Sequence, residues 1–351
     1  MIYKQLSYLP ILFQVDEGIY LDVEKFLLRN KLAFNKILVV SGGSASRELA
    51  QNVIDRYSWD HLVIDSNAIE QVERLKEHSL SNRFDLLVAI GGGKVLDVVK
   101  RVSYLTNINH LSIPTIISND GLISPISVIK NHDGKTQSVP GMMPMGVIID
   151  LDIISKAPLD YLRSAAGDVL SNLSSTNDWV LALERDNEHI NDIAYHLSRS
   201  AANCIVHFEK KDLRYKPFLR QIIQGQVNSG IAMGLAGSSR PCSGSEHLIS
   251  HAIDYLGYSE GVLHGTQVAS TSLFTLFLQD KLLDEHLDFA KKTKIPLLFT
   301  DLLNVEGNDY IKEVLEMSKF MRPGRFTVLD LFNGDEVIAK LESFKQTVAC
   351  A

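Results

Sequence analysis

Residues 85–97 read DLLVAIGGGKVLD, and this stretch decides the fold of the first half of the chain. A continuous apolar run, Asp85–Ile90, predicts a buried strand, and the periodic apolar residues from Val95 onward predict a helix. Between them lie Gly91, Gly92 and Gly93, which let a ligand approach the backbone at a helix start that favours phosphate. The glycine spacing matches neither the usual dinucleotide fingerprint nor a Walker loop, so it also fits a tight turn without a ligand.

The same strand-then-helix pattern repeats on both sides of this stretch. Alternating strands and helices predict a parallel sheet with helices on its faces. The predicted strands are Lys36–Ser41, His61–Asp65, Asp85–Ile90, Leu111–Ile113 and Gly146–Asp150; the helices are Ala45–Arg56, Ile69–His78 and Val95–Tyr104; a hairpin joins Ser127–Lys130 to Gln137–Val139. From Ile153 onward the pattern is almost wholly helical. We therefore expect an α/β, Rossmann-like nucleotide-binding domain over residues 1–157 and an all-α domain over residues 158–351.

Composition excludes several classes of protein. The chain has 351 residues, 45% of them hydrophobic and 22% charged, which suits two ordinary globular domains. Its net charge is −7 and basic runs are absent, which argues against nucleic acid as a partner. No signal peptide or membrane span is predicted, and the three cysteines are unpaired in spacing, so we expect a cytoplasmic protein. Apolar helical patterns over residues 263–345 exceed the needs of one bundle and predict a homo-oligomer.

Four side chains in the second half predict a metal centre. His247 and His251 are four residues apart, which places them on one face of a helix. Asp168 lies in another helical pattern, and His264 lies at a turn marked by Gly265. One carboxylate and two imidazoles suit zinc and leave a coordination position for water or substrate. A histidine pair at this spacing also occurs by coincidence on ordinary helices.

A polar loop follows the strand Leu111–Ile113. It carries hydroxyl groups at Thr115, Ser118 and Ser124 and a carboxylate at Asp120. Such residues form turns and caps in many loops. They also suit contacts to a ribose, a nicotinamide amide or a substrate hydroxyl.

Taken together, these motifs resemble the iron-containing, or group III, alcohol dehydrogenases, which share a fold with dehydroquinate synthase. Within that superfamily the chain looks most like the glycerol-1-phosphate dehydrogenase family. Five stretches carry the resemblance, namely Ile90–Asp97, Ile113–Ser124, Ala166–Asn172, Ser238–Pro241 with Ser243–His251, and Leu263–Gln267. The resemblance covers nearly the whole chain and implies a dehydroquinate synthase-like fold.

The resemblance also implies a role for individual residues. Metal ligands would be Asp168, His247 and His264, holding zinc or, alternatively, iron or nickel. Together with the glycine turn, it implies nicotinamide-cofactor contacts at Gly91, Gly92, Gly93, Lys94, Val95, Leu96, Asp97, Thr115, Ile116, Ile117, Ser118 and Ser124. Substrate contacts would be Asp120, Asp168 and His251, of which Asp120 and His251 would be catalytic.

The implied activity is NAD(P)-linked interconversion of dihydroxyacetone phosphate and sn-glycerol 1-phosphate, a small phosphorylated three-carbon substrate. Alternatives are a glycerol dehydrogenase or another polyol or phospho-ketone reductase, and, less favoured, a dehydroquinate synthase-like lyase. Against the lyase, the stretch Asp168–Asp178 holds no Lys or Arg. For the phosphate we predict Arg240, because a guanidinium binds phosphate through paired donors; Lys130 is a poorer candidate, and Arg240 also fits a plain salt bridge.

The choice between NAD and NADP stays open. Some relatives carry an acidic residue after the first strand, where it binds the adenosine ribose. Here that place reads Ser41-Gly42-Gly43-Ser44, with Arg47 one turn on, which would accommodate a 2′-phosphate. Asp65, after the second strand, favours NAD instead.

Overall fold

A computed structural model describes residues 9–186 and 188–350. The chain divides between Pro158 and Leu159 into two compact units. We call them the N-terminal unit and the C-terminal unit. The sequence pattern placed the boundary near residue 157, next to this division.

The N-terminal unit is built on a six-stranded parallel sheet with the order β1-β8-β5-β4-β2-β3. A separate antiparallel hairpin is formed by β6 and β7. The strands are β1 Leu12–Asp16, β2 Ile37–Ser41, β3 Asp60–Val63, β4 Leu86–Gly91, β5 Asn109–Pro114, β6 Ile126–Lys130, β7 Thr136–Pro140 and β8 Gly146–Asp150. The predicted parallel sheet and hairpin are thus confirmed.

Over residues 9–158, this unit has five α-helices: α1 Val23–Arg29, α2 Ala45–Tyr57, α3 Ile69–Ser81, α4 Gly93–Thr106 and α5 Leu151–Ile154. The strands β2, β4 and β8 are apolar over most of their length, because helices cover both faces of a parallel sheet. On one face, Val39 of β2 and Val88 of β4 join Phe26 of α1 and Val53 of α2 in a buried core.

The strand β1 and the helix α1 escaped the sequence pattern, and so did the one-turn helix α5. The strand β1 lies at the sheet edge and is only partly buried along its middle, so its sequence, LFQVD, lacks a continuous apolar run. The short helix α1 follows it. In addition, α4 begins two residues earlier than predicted, so Gly93 and Lys94 belong to the helix and not to the turn before it.

The register of the sheet brings three loops to one edge. Gly91 pairs with Pro114 and Ile90 pairs with Ser41, so the segments that follow β2, β4 and β5 all leave from the carboxyl ends of neighbouring strands. The chain turns outward from β2 to β3 on one side and from β4 to β5 on the other. Ligands of open α/β sheets bind at such a switch point.

The C-terminal unit is helical over its described residues, as predicted. Its helices are α6 Leu159–Leu170, α7 Asn172–Asp186, α8 Asp192–Val206, α9 Lys216–Ala236, α10 Ser245–Leu256, α11 His264–Leu278, α12 Asp284–Thr293, α13 Asn308–Ser318 and α14 Gly334–Cys350. Across residues 9–186 and 188–350, none of the helices has the length and apolar composition of a membrane span.

Candidate active site

Three predicted ligands from distant parts of the sequence meet in the C-terminal unit. Asp168 comes from α6, His247 from α10 and His264 from the first residue of α11. One ligand atom of each lies within 4.8 Å of the others, and Asp168 and His247 are buried. His264 begins a helix, where the sequence suggested only a turn.

Two glycines bring the backbones of α6 and α11 into direct contact. A Cβ atom on Gly265 would collide with the carbonyl oxygen of Ser164, and one on Gly167 would collide with the carbonyl oxygen of Gly265. The Gly265 N–H donates to the Ser164 Oγ at 3.0 Å. Each glycine is the neighbour of a predicted ligand. The close approach that they permit therefore sets Asp168 beside His264.

The imidazoles of this cluster are held neutral. Burial lowers the pKa of His247 and that of His264 to about 3, with a further contribution from nearby positive charge. The Nδ1 atom of His247 lies 2.8 Å from the Glu246 carboxylate, and that of His264 lies 3.4 Å from the Ser250 hydroxyl. Because Ser250 donates to the amide oxygen of Gln267, it accepts from His264. Each ring thus keeps Nε2 for another partner.

The arrangement fits a divalent metal ion. Zinc binds carboxylate oxygen and neutral imidazole nitrogen at about 2.0–2.2 Å, and three protein ligands are typical of its catalytic sites. The candidate ligand atoms lie within 4.8 Å of one another, so small side-chain movements would bring all three to bonding distance from one ion. A carboxylate on the outer nitrogen of His247 is the usual support of a metal-bound histidine.

Two buried carboxylates, Glu246 and Asp178, fix the start of α10. Glu246 accepts from the Gly244 N–H at 2.7 Å, and Asp178 accepts from the Ser245 N–H at 2.6 Å. Burial raises the pKa of Glu246 to about 7 and that of Asp178 to about 6; in Asp178 the neighbouring Glu246 contributes as well. The sequence analysis missed this role. The acidic residue directly before His247 was the only available signal.

His251 completes a group of three rings. Its ring centroid lies 6.1 Å from that of His247 and 5.9 Å from that of His264, and the His251 and His264 rings are stacked. Burial, together with the two other imidazoles, lowers the pKa of His251 well below its usual value. His251, predicted as a catalytic substrate contact, therefore lies among the proposed metal ligands. His251 is a neutral ring that donates from one nitrogen and accepts at the other.

The structure does not support the predicted phosphate contact at Arg240. Its Nε donates to Glu188 at 2.8 Å, one Nη forms a second bond to the same carboxylate, and the other Nη donates to the Phe326 carbonyl at 2.8 Å. The side chain is only 4% exposed. Arg240 therefore forms the buried salt bridge that was its alternative reading, and Lys130 is an exposed residue at the end of β6.

In the glycine turn of the N-terminal unit, Gly91 and Gly92 are tightly packed, whereas the space beside Gly93 is open. A Cβ atom on Gly91 would lie 2.6 Å from Val95, and one on Gly92 would lie 2.9 Å from Ile116. Nothing lies within 4 Å of the corresponding position on Gly93, the first residue of α4. Packing thus explains Gly91 and Gly92 without a ligand, whereas Gly93 leaves room for a phosphate against the helix start.

The loop after β5 lies beside this turn. The Thr115 N–H donates to the Gly91 carbonyl at 3.0 Å, and the Ile116 side chain packs against Gly92. Asp120 begins a short 3-10 turn, Asp120–Leu122, and bonds the buried Ser124. Burial raises the pKa of Asp120 to about 6, although the positive charge of Lys100 opposes the shift.

Lys100 is a buried cation that sequence reasoning missed. It is fully buried on α4 and lies 2.9 Å from the Asp97 carboxylate. Its Nζ also donates to the carbonyl of Gly121 at 2.6 Å and to that of Ile126. In the sequence, this cation is marked by a single lysine on an apolar face of the predicted helix. Lys100 ties the segment that carries Asp120 to the helix that follows the glycine turn.

The segment after β2 does not decide between NAD and NADP. Arg47 is exposed and lowers the pKa of His61, after the larger effect of burial. Asp65 approaches Gly43, since a Cβ atom there would lie 3.4 Å from its carboxylate. A cation and an anion are thus both present at this edge of the sheet.

Comparison with known proteins agrees with this geometry. The sequence profile of the iron-containing alcohol dehydrogenases matches residues 14–158. The glycerol-1-phosphate dehydrogenase [NAD(P)+] of Archaeoglobus fulgidus is 33% identical over 316 residues, which are 88% of this chain and 87% of that protein. The enzyme of the same name from Methanosarcina mazei is 34% identical over 325 residues, covering 90% and 89%. The chain belongs to the glycerol-1-phosphate dehydrogenase family.

Solved structures place this family member in the expected fold. A probable glycerol dehydrogenase from Sinorhizobium meliloti matches with a TM-score of 0.77 over 99% of this chain and 100% of that one. The identity is only 20%, so the likeness concerns the fold. The predicted dehydroquinate synthase-like fold is confirmed.

Proposed function

We propose that this chain interconverts dihydroxyacetone phosphate and sn-glycerol 1-phosphate with a nicotinamide cofactor and a divalent metal ion. The observation that carries the proposal is the convergence of Asp168, His247 and His264 within 4.8 Å, in a chain that is 33–34% identical to glycerol-1-phosphate dehydrogenases over about nine-tenths of its length. The three ligands suit zinc best, with iron and nickel as alternatives.

The metal-binding residues would create the electrostatic part of the reaction. A divalent ion bound there would polarise the ketone oxygen and stabilise the negative charge that develops as hydride arrives. Asp168 and the two histidines fix where that charge is stabilised. His251 would hold a substrate hydroxyl through its neutral ring. Asp120 remains a proposed catalytic and substrate-binding residue on the basis of the resemblance.

The cofactor is proposed to bind along the carboxyl edge of the sheet. A reduced nicotinamide would supply the hydride. Gly93 and the start of α4 would receive its pyrophosphate, since the position of a Cβ atom on Gly93 is open. The remaining predicted contacts, over residues 91–97 and at Thr115, Ile116, Ile117, Ser118 and Ser124, are proposed on the same basis. Arg47 and Asp65 leave both NAD and NADP as candidates.

The proposal extends to the state of the protein. We infer a cytoplasmic homo-oligomer that acts on a small molecule and takes neither nucleic acid nor a membrane as its partner. Tyr255 on α10 is 71% exposed, Ile193 on α8 is 64% exposed, and Phe320, just after α13, is 71% exposed, which suits a surface covered by a second copy. Sedimentation of the purified protein tests the oligomer.

The activity test follows oxidation of NADH and of NADPH by absorbance. Zinc-loaded protein is mixed with dihydroxyacetone phosphate or, in parallel, with unphosphorylated dihydroxyacetone. We expect oxidation with the phosphorylated ketone, loss of activity with a chelator and loss in His247→Ala. The control is His196→Ala, an exposed histidine on α8 in the same unit.

The alternatives give different results. Oxidation with the unphosphorylated ketone alone would assign the chain to glycerol dehydrogenation, the activity in the name of the Sinorhizobium meliloti structure. Oxidation with neither ketone would refute the proposed substrate. Activity that survives both chelation and His247→Ala would refute the metal.

A further inference from the structure

A cavity of about 450 Å³ lies in the C-terminal unit, on another face of α6 than the candidate metal ligands. It is lined by Leu159 and Arg163 of α6, by residues 209–214 between α8 and α9, and by residues 292–294 at the end of α12. Arg163 and Asp168 are five residues apart on α6, so their side chains point about 140° apart around the helix. None of the lining residues belongs to the metal cluster.

The walls of this cavity are strongly basic. Six of its eleven lining residues are Lys or Arg, and two, Glu209 and Asp212, are acidic. Over the whole chain, by contrast, acidic residues outnumber basic ones and the net charge is −7. Positive charge is therefore concentrated in one concave place. Such a place favours a small anionic ligand over an extended polyanion such as nucleic acid.

Specific contacts join the three segments that form the walls. The Nε of Arg163 donates to the Thr293 carbonyl at 3.2 Å, which holds the start of α6 against the end of α12. The Nζ of Lys211 lies 3.7 Å from the Asp288 carboxylate, which joins the connection between α8 and α9 to α12. The cavity is thus formed before any ligand binds.

Carboxylates pair with only some of the cations in these walls. Asp160 pairs with Arg163. Asp288 lies 3.0 Å from Lys292 and 3.7 Å from Lys211, so one carboxylate is shared by two ammonium groups. The ion pairs therefore leave a surplus of positive charge.

Lys210 and Lys294 contribute to this surplus. Both are exposed, and neither forms an ion pair within residues 9–186 and 188–350. The Nζ of Lys210 lies over the Tyr215 ring, 4.4 Å from its centre. Their ammonium groups therefore keep donors for a ligand.

The backbone at Lys294 has a conformation that glycine usually adopts. Its φ is 60°, its N–H donates to the Lys291 carbonyl at 3.2 Å, and the Ile295 N–H donates to the Ala290 carbonyl at 2.8 Å. These bonds form a Schellman motif after α12, in which the left-handed residue is usually glycine. A lysine is less favourable than glycine in this conformation. Its side chain therefore calls for a role beyond ending the helix.

We propose that this cavity binds a small anion that carries two or more linked phosphate groups, as inorganic polyphosphates and nucleoside triphosphates do. Its volume lies within the range of about 300–1,000 Å³ that is typical of small-molecule sites. Cations on separate segments can each contact a different phosphate group, which a single phosphate cannot match. Lys210 and Lys294 are the direct contacts. Arg163 is a positioning residue, because it holds the segment that carries Lys294.

The test is a calorimetric titration of inorganic tripolyphosphate into zinc-loaded full-length protein at low ionic strength. Lys210→Gln and Lys294→Gly should each raise Kd by about tenfold, because each removes a charge-assisted contact to phosphate. The two changes together should raise Kd by about 100-fold. Binding elsewhere in the protein, including at the metal, is common to all variants and cancels in the comparison.

The matched control is Lys31→Gly. Lys31 is an exposed lysine of the N-terminal unit with a φ of 57°, so this variant loses the same charge from the same backbone conformation. Its Kd should stay within about twofold of the wild type, because a distant exposed charge is screened. Lys294→Gly should melt at or above the temperature of the wild type, since glycine suits a positive φ. Weaker binding in that variant could then not result from unfolding.

Two results would overturn the site. One is a Kd for tripolyphosphate that is the same in the wild type, Lys210→Gln and Lys294→Gly. The other is a lower melting temperature of Lys294→Gly with an unchanged Kd, which would mean that Lys294 serves only the end of α12 through the helix dipole.

Orthophosphate and ATP, titrated in parallel, identify the ligand. Orthophosphate should bind at least about tenfold more weakly than tripolyphosphate, because it meets fewer cations. Equal affinity for the two would refute a preference for linked phosphates. If Lys294→Gly weakens ATP and tripolyphosphate equally, and the wild type binds both alike, the phosphate chain alone is recognised; tighter binding of ATP assigns the site to a nucleotide. No turnover is involved, so the outcome does not depend on the proposed reaction.

Discussion

Both units bury a cluster of charged side chains, but the two clusters balance their charge differently. In the N-terminal unit, Lys100 lies between Asp97 and Asp120 and donates to two carbonyl groups. In the C-terminal unit, Arg322 and Arg325 lie beside neutral imidazoles, and Glu188 is committed to Arg240.

This difference distinguishes the structural ion cluster around Lys100 from the candidate binding site in the C-terminal unit. The pKa of both Asp97 and Asp120 is raised, and the cluster has no net charge when Lys100 and one of these two carboxyl groups are ionised. The cluster therefore needs no ligand to balance its charge. The C-terminal cluster instead brings three candidate ligands for a cation within 4.8 Å of one another.

The largest effect is expected from removing a ligand charge in the C-terminal cluster. Asp168→Asn keeps the shape of the side chain but removes its negative charge, so zinc content should fall and kcat/KM should fall by about 1,000-fold or more. Metal analysis and steady-state kinetics measure both. Asp284→Asn, at an exposed aspartate on α12, is the control. Full zinc content with full activity in Asp168→Asn would remove Asp168 from the site.

The next effect concerns stability in the N-terminal cluster. Lys100→Met leaves Asp97 and Asp120 without their cation and should lower the free energy of unfolding by about 3–5 kcal/mol at pH 8. The loss should be smaller at pH 5, because burial raises the pKa of Asp120 to about 6 and this carboxyl group is then largely protonated. Urea unfolding at the two pH values measures the difference.

Lys94→Met is the matched control, since Lys94 is exposed on the same helix. Its free energy of unfolding should change by less than about 0.5 kcal/mol. An equal loss for the two variants would mean that Lys100 does not act through its buried partners.

Most of the fold could be predicted from local patterns, because burial and periodicity leave their mark on consecutive residues. Buried strands such as β4 and β8 are apolar throughout, and the residues around Asp168 have helical periodicity. The edge strand β1 escaped because half-buried positions carry polar residues. The candidate metal ligands were predicted from their residue types and from the resemblance of their motifs, since no spacing along the chain reveals that α6 and α11 touch.

The salt bridge that occupies Arg240 could not be foreseen, for a physical reason. Arg240 lies in a motif just before α10, but its partner Glu188 is 52 residues away in the sequence. No local pattern predicts that salt bridge. The turn Arg322–Arg325 could have been recognised, because Pro-Gly between two arginines predicts a type II turn. Its attachment to Ser239, more than 80 positions earlier, could not.

A smaller effect distinguishes the glycines of the turn before α4. Gly91→Ala places a Cβ atom 2.6 Å from Val95 and should destabilise the protein by about 1–3 kcal/mol. Gly93→Ala meets open space and should leave stability unchanged, while KM for NADH rises about tenfold if pyrophosphate approaches there. Unfolding and cofactor titration together assign packing to one glycine and binding to the other. Unchanged KM in Gly93→Ala would exclude the close approach.

The smallest effect concerns His110, a buried histidine on β5 in the N-terminal unit. Neither ring nitrogen has a hydrogen-bond partner, and burial, with a contribution from Lys100, lowers its pKa to about 3. Because this pKa is below the unfolded value of about 6.5, the stabilising contribution is complete above pH 6.5 and is lost as the pH falls toward 3. Between pH 7.5 and pH 5.5 this one group should lower the free energy of unfolding by about 1.4 kcal/mol.

His110→Leu should remove that dependence. Subtracting its urea unfolding free energies from those of the wild type at each pH cancels the other titrating groups, so the difference reports His110 alone. The control, His132→Gln, changes an exposed histidine of the same unit and should follow the wild type. If wild type and His110→Leu lost stability in parallel on acidification, His110 would titrate in the folded protein as it does in the unfolded chain.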